Sequence, residues 1–416
     1  MKQTIKYLML SLFPLSVYAQ DPVPVLTLDS ILKSIENNNI MLQSYELRKE
    51  TFRYKAEAAS AWMAPMIGGG TFMTPYPGEK LMESRDKGNI MIQLEQDIPN
   101  PAKIKARKKY ILSQGESVAT ERQILLNELA AQAKRYYYNW LIAKNRMTVL
   151  RDSEKLMTMM KKIEEVRYPY NKSQLAGVFV VTAKLEQNTN MMRMQQGIIQ
   201  RSRTMLLTLM NNENNQVFEI DSVAQPHFVP ELIYDTGTIA LMRKDVQKMD
   251  QDIKSMQLNI ASMLQEKKPD FRIRFDHMSP LSNMMPNAFS VMGMISIPIA
   301  PWSSKMYKSE TKAMEYSIRS MEKQRQGMLQ ETKGMLNGMQ TEIQSMHDRV
   351  IAMEEKVVPA LQKALDANYL LYQENKMQLS SVIDSWEALN MMQMTILDEK
   401  LKHYEMTVEY EKQLFQ

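Results

Sequence analysis

From Asn89 the chain alternates, with Ile90, Ile92, Leu94 and Ile98 on one face and Met91, Gln93, Glu95 and Asp97 on the other. A period of two is that of a strand with different surroundings on its two sides. The pattern returns in Phe271, Ile273 and Phe275 against Arg272, Arg274 and Asp276, and in Phe289, Val291, Ile295 and Ile297 against Ser290, Met292, Met294 and Ser296. With the glycine-rich run from Met66 to Thr74, this predicts four strands in two hairpins, 66–98 and 270–298. Elsewhere the period is helical. Thr27 caps a helix carrying Ile31, Leu32, Ile35 and Leu42 and expected to run to about Met63, and long helices are predicted over 102–165, 174–210, 303–365 and 378–414. The longest would approach about 90 Å at ~1.5 Å per residue, so these are coiled-coil lengths. In the third, Leu336, Ile343, Val350 and Val357 alternate with Met339, Met346 and Met353 at a and d spacing, and the step from Met335 to Met339 reads as a stutter.

The pattern also repeats as a whole. Tyr170-Asn171-Lys172-Ser173-Gln174-Leu175-Ala176-Gly177-Val178 returns about two hundred residues later as Glu374-Asn375-Lys376-Met377-Gln378-Leu379-Ser380-Ser381-Val382, sharing N-K-x-Q-L-x-x-V. Pro65 and Pro269 precede the two hairpins, and Ile98-Pro99-Asn100-Pro101 and Ile297-Pro298-Ile299-Ala300-Pro301 follow them. The expected organisation is a signal peptide over 1–19, a first repeat over 20–210, a linker over 211–236 with Pro226 and Pro230, and a second repeat over 237–416.

Composition narrows the setting. Lys2 and Lys6 precede an apolar run from Tyr7 to Val17, and Val17-Tyr18-Ala19 has the small-residue spacing of a signal peptidase site, so the mature chain is expected to start near Gln20 and leave the cytoplasm. No other segment approaches a spanning helix, and the mean hydropathy is -0.39, so any membrane crossing falls to strands. Cysteine is absent, which excludes disulfides, thiolate metal sites, cysteine nucleophiles and a lipid-anchored cysteine. The net charge of +5 is diffuse, with no basic arm, and argues against nucleic acid. No nucleophile, base and orienting group fall together and no phosphate loop occurs, so an enzyme is not expected.

The opening L-T-L-x-x-x-L with Asn37-Asn38, the proline leads at Pro65 and Pro269, Ser296-Ile297-Pro298-Ile299 after the last strand and the repeated helix–turn–helix together resemble the TolC family of outer-membrane efflux ducts over essentially the whole mature chain. The resemblance implies an α+β membrane protein. In that family each chain of a homotrimer gives four strands to a shared twelve-strand barrel and long helices to a periplasmic coiled-coil tunnel. It implies adaptor-contact tips at Asn171, Lys172, Asn375 and Lys376, with Asn where the family usually bends at Gly. It also implies a gate built on Tyr372 and a pore ring on Asp384. Gly177 and Met377 stand where the gate's usual acid and base partners would be, and Ser381 replaces a second ring aspartate.

Thirty-nine methionines among 416 residues raise the question of substrate. A thioether is a soft ligand suited to Cu(I) and Ag(I), although methionine at helical d positions such as Met346 and Met353 is ordinary adaptable core. Met91, Met278, Met292 and Met294 fall instead on the polar strand faces, which a barrel turns to its lumen. They are the candidate metal-transit residues. No cofactor is expected, and His227, His277, His347 and His403 show no paired ligand spacing. The expected function is the passive exit duct of a tripartite copper- or silver-type system, working with a periplasmic adaptor and an inner-membrane transporter of the RND type. The alternatives are a multidrug or secretion duct of the same family and a periplasmic methionine-rich coiled-coil scaffold or metal-sequestering protein without a barrel.

Overall fold

The computed structural model describes residues 24–170, 175–212, 217–222, 225–226, 228, 234–298 and 300–415. The segment 1–19 read as a signal peptide, and the tip residues Asn171 and Lys172, lie outside them.

The first helical run is not continuous. Helices α1 (Leu28–Asn38) and α2 (Ile40–Ala58) break at Asn39, whose side chain accepts from the amides of Met41 and Leu42 and donates to the Leu209 carbonyl at 2.9 Å. An Asn that caps a new helix competes with the helix it interrupts, which is why one periodic run becomes two elements ending at Ala58 rather than Met63. Thr27 does cap α1, accepting from the Ser30 amide at 3.3 Å. Ahead of it, β1 (Val25–Leu26) pairs in parallel with β4 (Glu219–Ile220). The 211–236 stretch thus does more than link: Phe218 and Ile220 are buried, and Phe218 meets Trp140 edge-on with centroids 5.2 Å apart.

Strands β2 (Met66–Phe72), β3 (Asn89–Ile98), β5 (Asp270–Pro280) and β6 (Ala288–Ser296) make one antiparallel sheet in the order β2-β3-β5-β6, leaving β2 and β6 as edges. The β2–β3 loop closes where Gly88, at φ 87°, passes Thr74 so closely that a Cβ would lie 2.7 Å from its Cα. Only glycine tolerates both conditions.

Helix α3 (Pro101–Arg167) has 67 residues, about 100 Å at ~1.5 Å each. It packs against α4 (Leu175–Leu209), α6 (Lys244–Met263), α2 and α9 (Leu379–Leu414), so it is the spine of the helical body. The short α5 (Thr236–Met242) leads into α6. The predicted helix over 303–365 becomes α7 (Pro301–Ala352), one widened π turn at Met353–Val357, and α8 (Val358–Gln373). The cause is Pro359, which has no amide to give the Glu355 carbonyl and whose ring would strike it, so the turn opens by one residue. Along α7 the buried seam is Leu336, Ile343 and Val350 with Met346, as the heptad predicts. Upstream, Ser304, Thr311, Ile318, Leu329 and Thr332 are the buried positions, and Met314, Met321, Met328 and Met335 only flank them. Leu329 already lies seven residues before Leu336, and Ile318 eleven before Leu329, so the four-residue shift falls between Ile318 and Leu329, earlier than the methionines suggest.

Among the described residues, three cores hold the body. The largest centres on Trp140, Tyr137, Ile142, Leu206 and Val408, the second on Met157, Met160, Tyr372, Val382 and Trp386, and the third on Ile239, Leu336, Ile343 and Tyr410. In the first, Tyr137 donates to the Asp221 carbonyl at 2.7 Å, and burial pushes its hydroxyl up to about 12. Among the described residues no helix is long and apolar enough to cross a membrane.

Candidate functional site

The sheet exposes the face a water-soluble sheet would hide. Ile67, Ile92, Leu94, Ile273, Phe275, Phe289 and Val291 are all exposed, while Glu95 and Asp276 on the opposite, charged face are buried. Register explains the charged face. Along it lie cross-strand rungs: Gly70, Met91, Met278 and Ala288; then Gly68, Gln93, Asp276 and Ser290; then Met66, Glu95, Arg274 and Met292; then Asp97, Arg272 and Met294. Arg272 reaches Asp97 at 2.5 Å and Glu95 at 2.7 Å, tying β5 to β3, and Arg274 reaches Asp276 at 2.8 Å along β5, so the carboxylates of this face are ion-paired. Trp62 and Trp302, both exposed, stand just before β2 and just after β6, at the end of the sheet nearest the helices.

The four candidate methionines do share that face, but they do not form one cluster. Met91 and Met278 are direct cross-strand partners, whereas Met292 and Met294 oppose Arg274 and Arg272. About 13 Å of strand separates the Met91 rung from the Met292 rung. Met66, on the rung of Met292, is a further thioether on this face that alternation alone left unread in a glycine-rich strand.

At the far end of the helices, α8 closes on Asn375 at φ 59°, with the Asn375 amide bonded to the Tyr372 carbonyl and the Lys376 amide to the Leu371 carbonyl. This is a Schellman stop with Asn in the left-handed position, the conformation the bend demands of a residue other than Gly. Lys376 is exposed and pairs with Glu374 at 2.6 Å. Tyr372, by contrast, is buried. Its hydroxyl donates to Glu164 Oε1 at 2.5 Å, and the Arg167 guanidinium lies 4.7 Å from its ring centre while donating to the Tyr372 and Gln373 carbonyls at 2.9 Å each. Burial first, and the bond to Glu164 second, push the Tyr372 hydroxyl well above the usual phenol range. Gly177 fits between α3 and α9 because a Cβ there would lie 2.7 Å from Glu164 Oε2 and 3.1 Å from a Leu379 methyl. These residues line a cavity of about 550 Å³ that also touches Asn375, Met377 and Ile383. Asp384 is on the other side of α9 from buried Val382, Ile383 and Trp386, exposed to solvent.

Solved structures share the overall fold. The outer-membrane channel OprN matches with a TM-score of 0.73 at 12% identity, covering 93% of this chain and 89% of that one. CusC, a structure of transmembrane channel formation, matches at 0.74 and 14% identity, covering 93% and 91%. The Campylobacter jejuni CmeC outer membrane channel matches at 0.70 and 12%, covering 93% and 85%. The chain has the TolC-type outer-membrane channel fold. No family model and no curated protein matches the sequence, so the likeness is carried by three-dimensional arrangement.

Within this TolC-type fold, the acid and base near Tyr372 come from places the sequence reading did not assign. Gly177 and Met377 are neither. The acid is Glu164 and the base Arg167, both on the last turns of α3 and more than two hundred residues from Tyr372. One signal was available: Leu150, Met157 and Glu164 are seven apart on the buried stripe of α3, and a carboxylate at such a position needs a partner.

Proposed function

We propose that three copies of this chain form an outer-membrane exit duct. The observation that carries the reading is the four-stranded sheet with an exposed apolar face, a salt-bridged polar face and two unpaired edges at one end of a helical body about 100 Å long. Open strand edges are not tolerated in hydrocarbon, and about eight strands is the smallest closed barrel, so four strands call for other chains. Three give twelve. Trp62 and Trp302 stand where an aromatic girdle belongs. A coiled-coil scaffold would have no use for such a sheet.

An internal duplication is supported by one offset of 204 residues that relates the helix breaks (39 to 243), the proline leads (65 to 269) and the Asn-Lys pairs in sequence (171 to 375). In this reading the bends at Asn171, Lys172, Asn375 and Lys376 face a periplasmic adaptor and an inner-membrane transporter of the RND type drives the flow. Asp384 points into the lumen, where three copies would make a negative constriction. Discrete conductance steps in planar bilayers are expected, with a preference for cations that Asp384→Ala lowers. Steps with unchanged selectivity would remove Asp384 from the ring, and no steps at all would contradict the duct.

For substrate, we favour Cu(I) or Ag(I) passing along the rungs of Met91, Met278, Met292 and Met294. Thioethers spaced along a wall bind weakly and exchange, as conduction requires. Changing all four to Leu keeps approximate volume and removes the sulfur. Trimer yield should hold while copper and silver tolerance falls; full tolerance would leave these side chains as mere lining and favour a drug or secretion substrate.

A further inference from the structure

Histidines 347 and 403 are 56 positions apart in sequence and show no paired ligand spacing, yet α7 and α9 bring their rings to 5.8 Å between centres, tilted by 33°. Both line a cavity of about 440 Å³ beside the π turn, together with Gln344, Glu354, Lys400 and Tyr404. His347 is exposed and His403 half-buried, so the pair opens to solvent on one side in the single chain. Burial, and then the neighbouring His347, hold the His403 imidazole below its usual pKa and so in the neutral, ligating form.

We propose that His347 and His403 form a two-imidazole clamp for a borderline divalent transition-metal ion of the Zn²⁺, Ni²⁺ or Cu²⁺ class, bridging α7 and α9. The spacing fits. With metal–nitrogen bonds of about 2.0–2.1 Å, two imidazoles on one ion place their ring centres roughly 4.5–6.3 Å apart from a right angle to a straight line. Imidazole is the ligand these ions favour, in contrast to the thioethers of the sheet. Glu354 sits in the same cavity but is engaged by Lys400 at 2.6 Å, so water completes the coordination. The neighbouring charges are likewise matched, Arg349 with Glu399 at 3.0 Å and Asp348 accepting from Gln344 at 2.9 Å, so among the described residues these carboxylates are engaged beside the two imidazoles. A bound ion would fasten α9 to α7 next to its widened turn, the one interruption in that long helix.

The test is titration of the tag-free mature protein in detergent with Zn²⁺, a poor partner for thioethers. One ion per chain is expected, with a metal-dependent rise in melting temperature. His347→Gln, at an exposed position, and His403→Gln should each weaken binding by roughly tenfold or more, and the double variant should lose that ion and the thermal shift while melting like the parent without metal. Absence of Zn²⁺ binding by the parent, or equal uptake by the double variant, overturns the site. The outcome is independent of channel activity and of copper tolerance.

Discussion

Lysine at both Leu94 and Phe275 should abolish assembly in the outer membrane. The two residues are direct cross-strand partners at the middle of β3 and β5, and both side chains are exposed on the apolar face. A Lys facing lipid at the bilayer midplane costs about 2–4 kcal/mol, so two per chain in three chains sum to roughly 12–24 kcal/mol before any relaxation. Gln93→Lys, one residue away on the charged face that the proposed barrel turns to its lumen, should be tolerated, because water and the carboxylates of Glu95 and Asp276 lie on its side. Heat-resistant oligomer in outer-membrane fractions reports the difference. A Gln93 variant as damaging as the outward pair would mean that the two faces of the sheet have been assigned the wrong way round.

The second large effect is expected at Gly177. A methyl group there meets the Glu164 carboxylate at 2.7 Å and Leu379 at 3.1 Å, and Glu164 is itself buried, so it cannot yield without leaving Tyr372. A buried hydroxyl that loses its charged acceptor costs about 1–3 kcal/mol. Gly177→Ala should therefore raise hydrogen exchange in the α8–α9 bend and make the proposed duct leakier to bulky antibiotics, and Gly177→Val should do so more strongly. Tyr372→Phe removes the same bond by another route. The two changes should thus be strongly non-additive in a double-mutant cycle. Additive losses would show that Gly177 acts on something other than the Glu164–Tyr372 bond.

What the sequence disclosed and what it hid divide along a physical line. Strand alternation in Asn89–Ile98 and Asp270–Pro280 is legible because two unlike surroundings impose a period of two on the residues themselves. The a seam of Leu336, Ile343 and Val350 is legible for the same reason. Local breaks were harder. Asn39 and Pro359 carry recognisable signals, but a strong helical period on both sides masks them. Least legible were pairings between distant segments. Glu164 with Tyr372, and His347 with His403, depend on how α3, α7, α8 and α9 align, and no spacing within one segment encodes that alignment. The methionines are intermediate: their face followed from alternation, while the separation of Met91 and Met278 from Met292 and Met294 needed the strand register.

All of this turns on whether four strands per chain are completed by other copies of the chain. Mass measurement of the purified mature protein in detergent, by light scattering with the detergent contribution separated, addresses it directly. Three chains per particle are expected, with loss of β content whenever the trimer is forced apart, because the edges of β2 and β6 are then left open in hydrocarbon. A stable monomer that keeps its full β content would contradict this expectation.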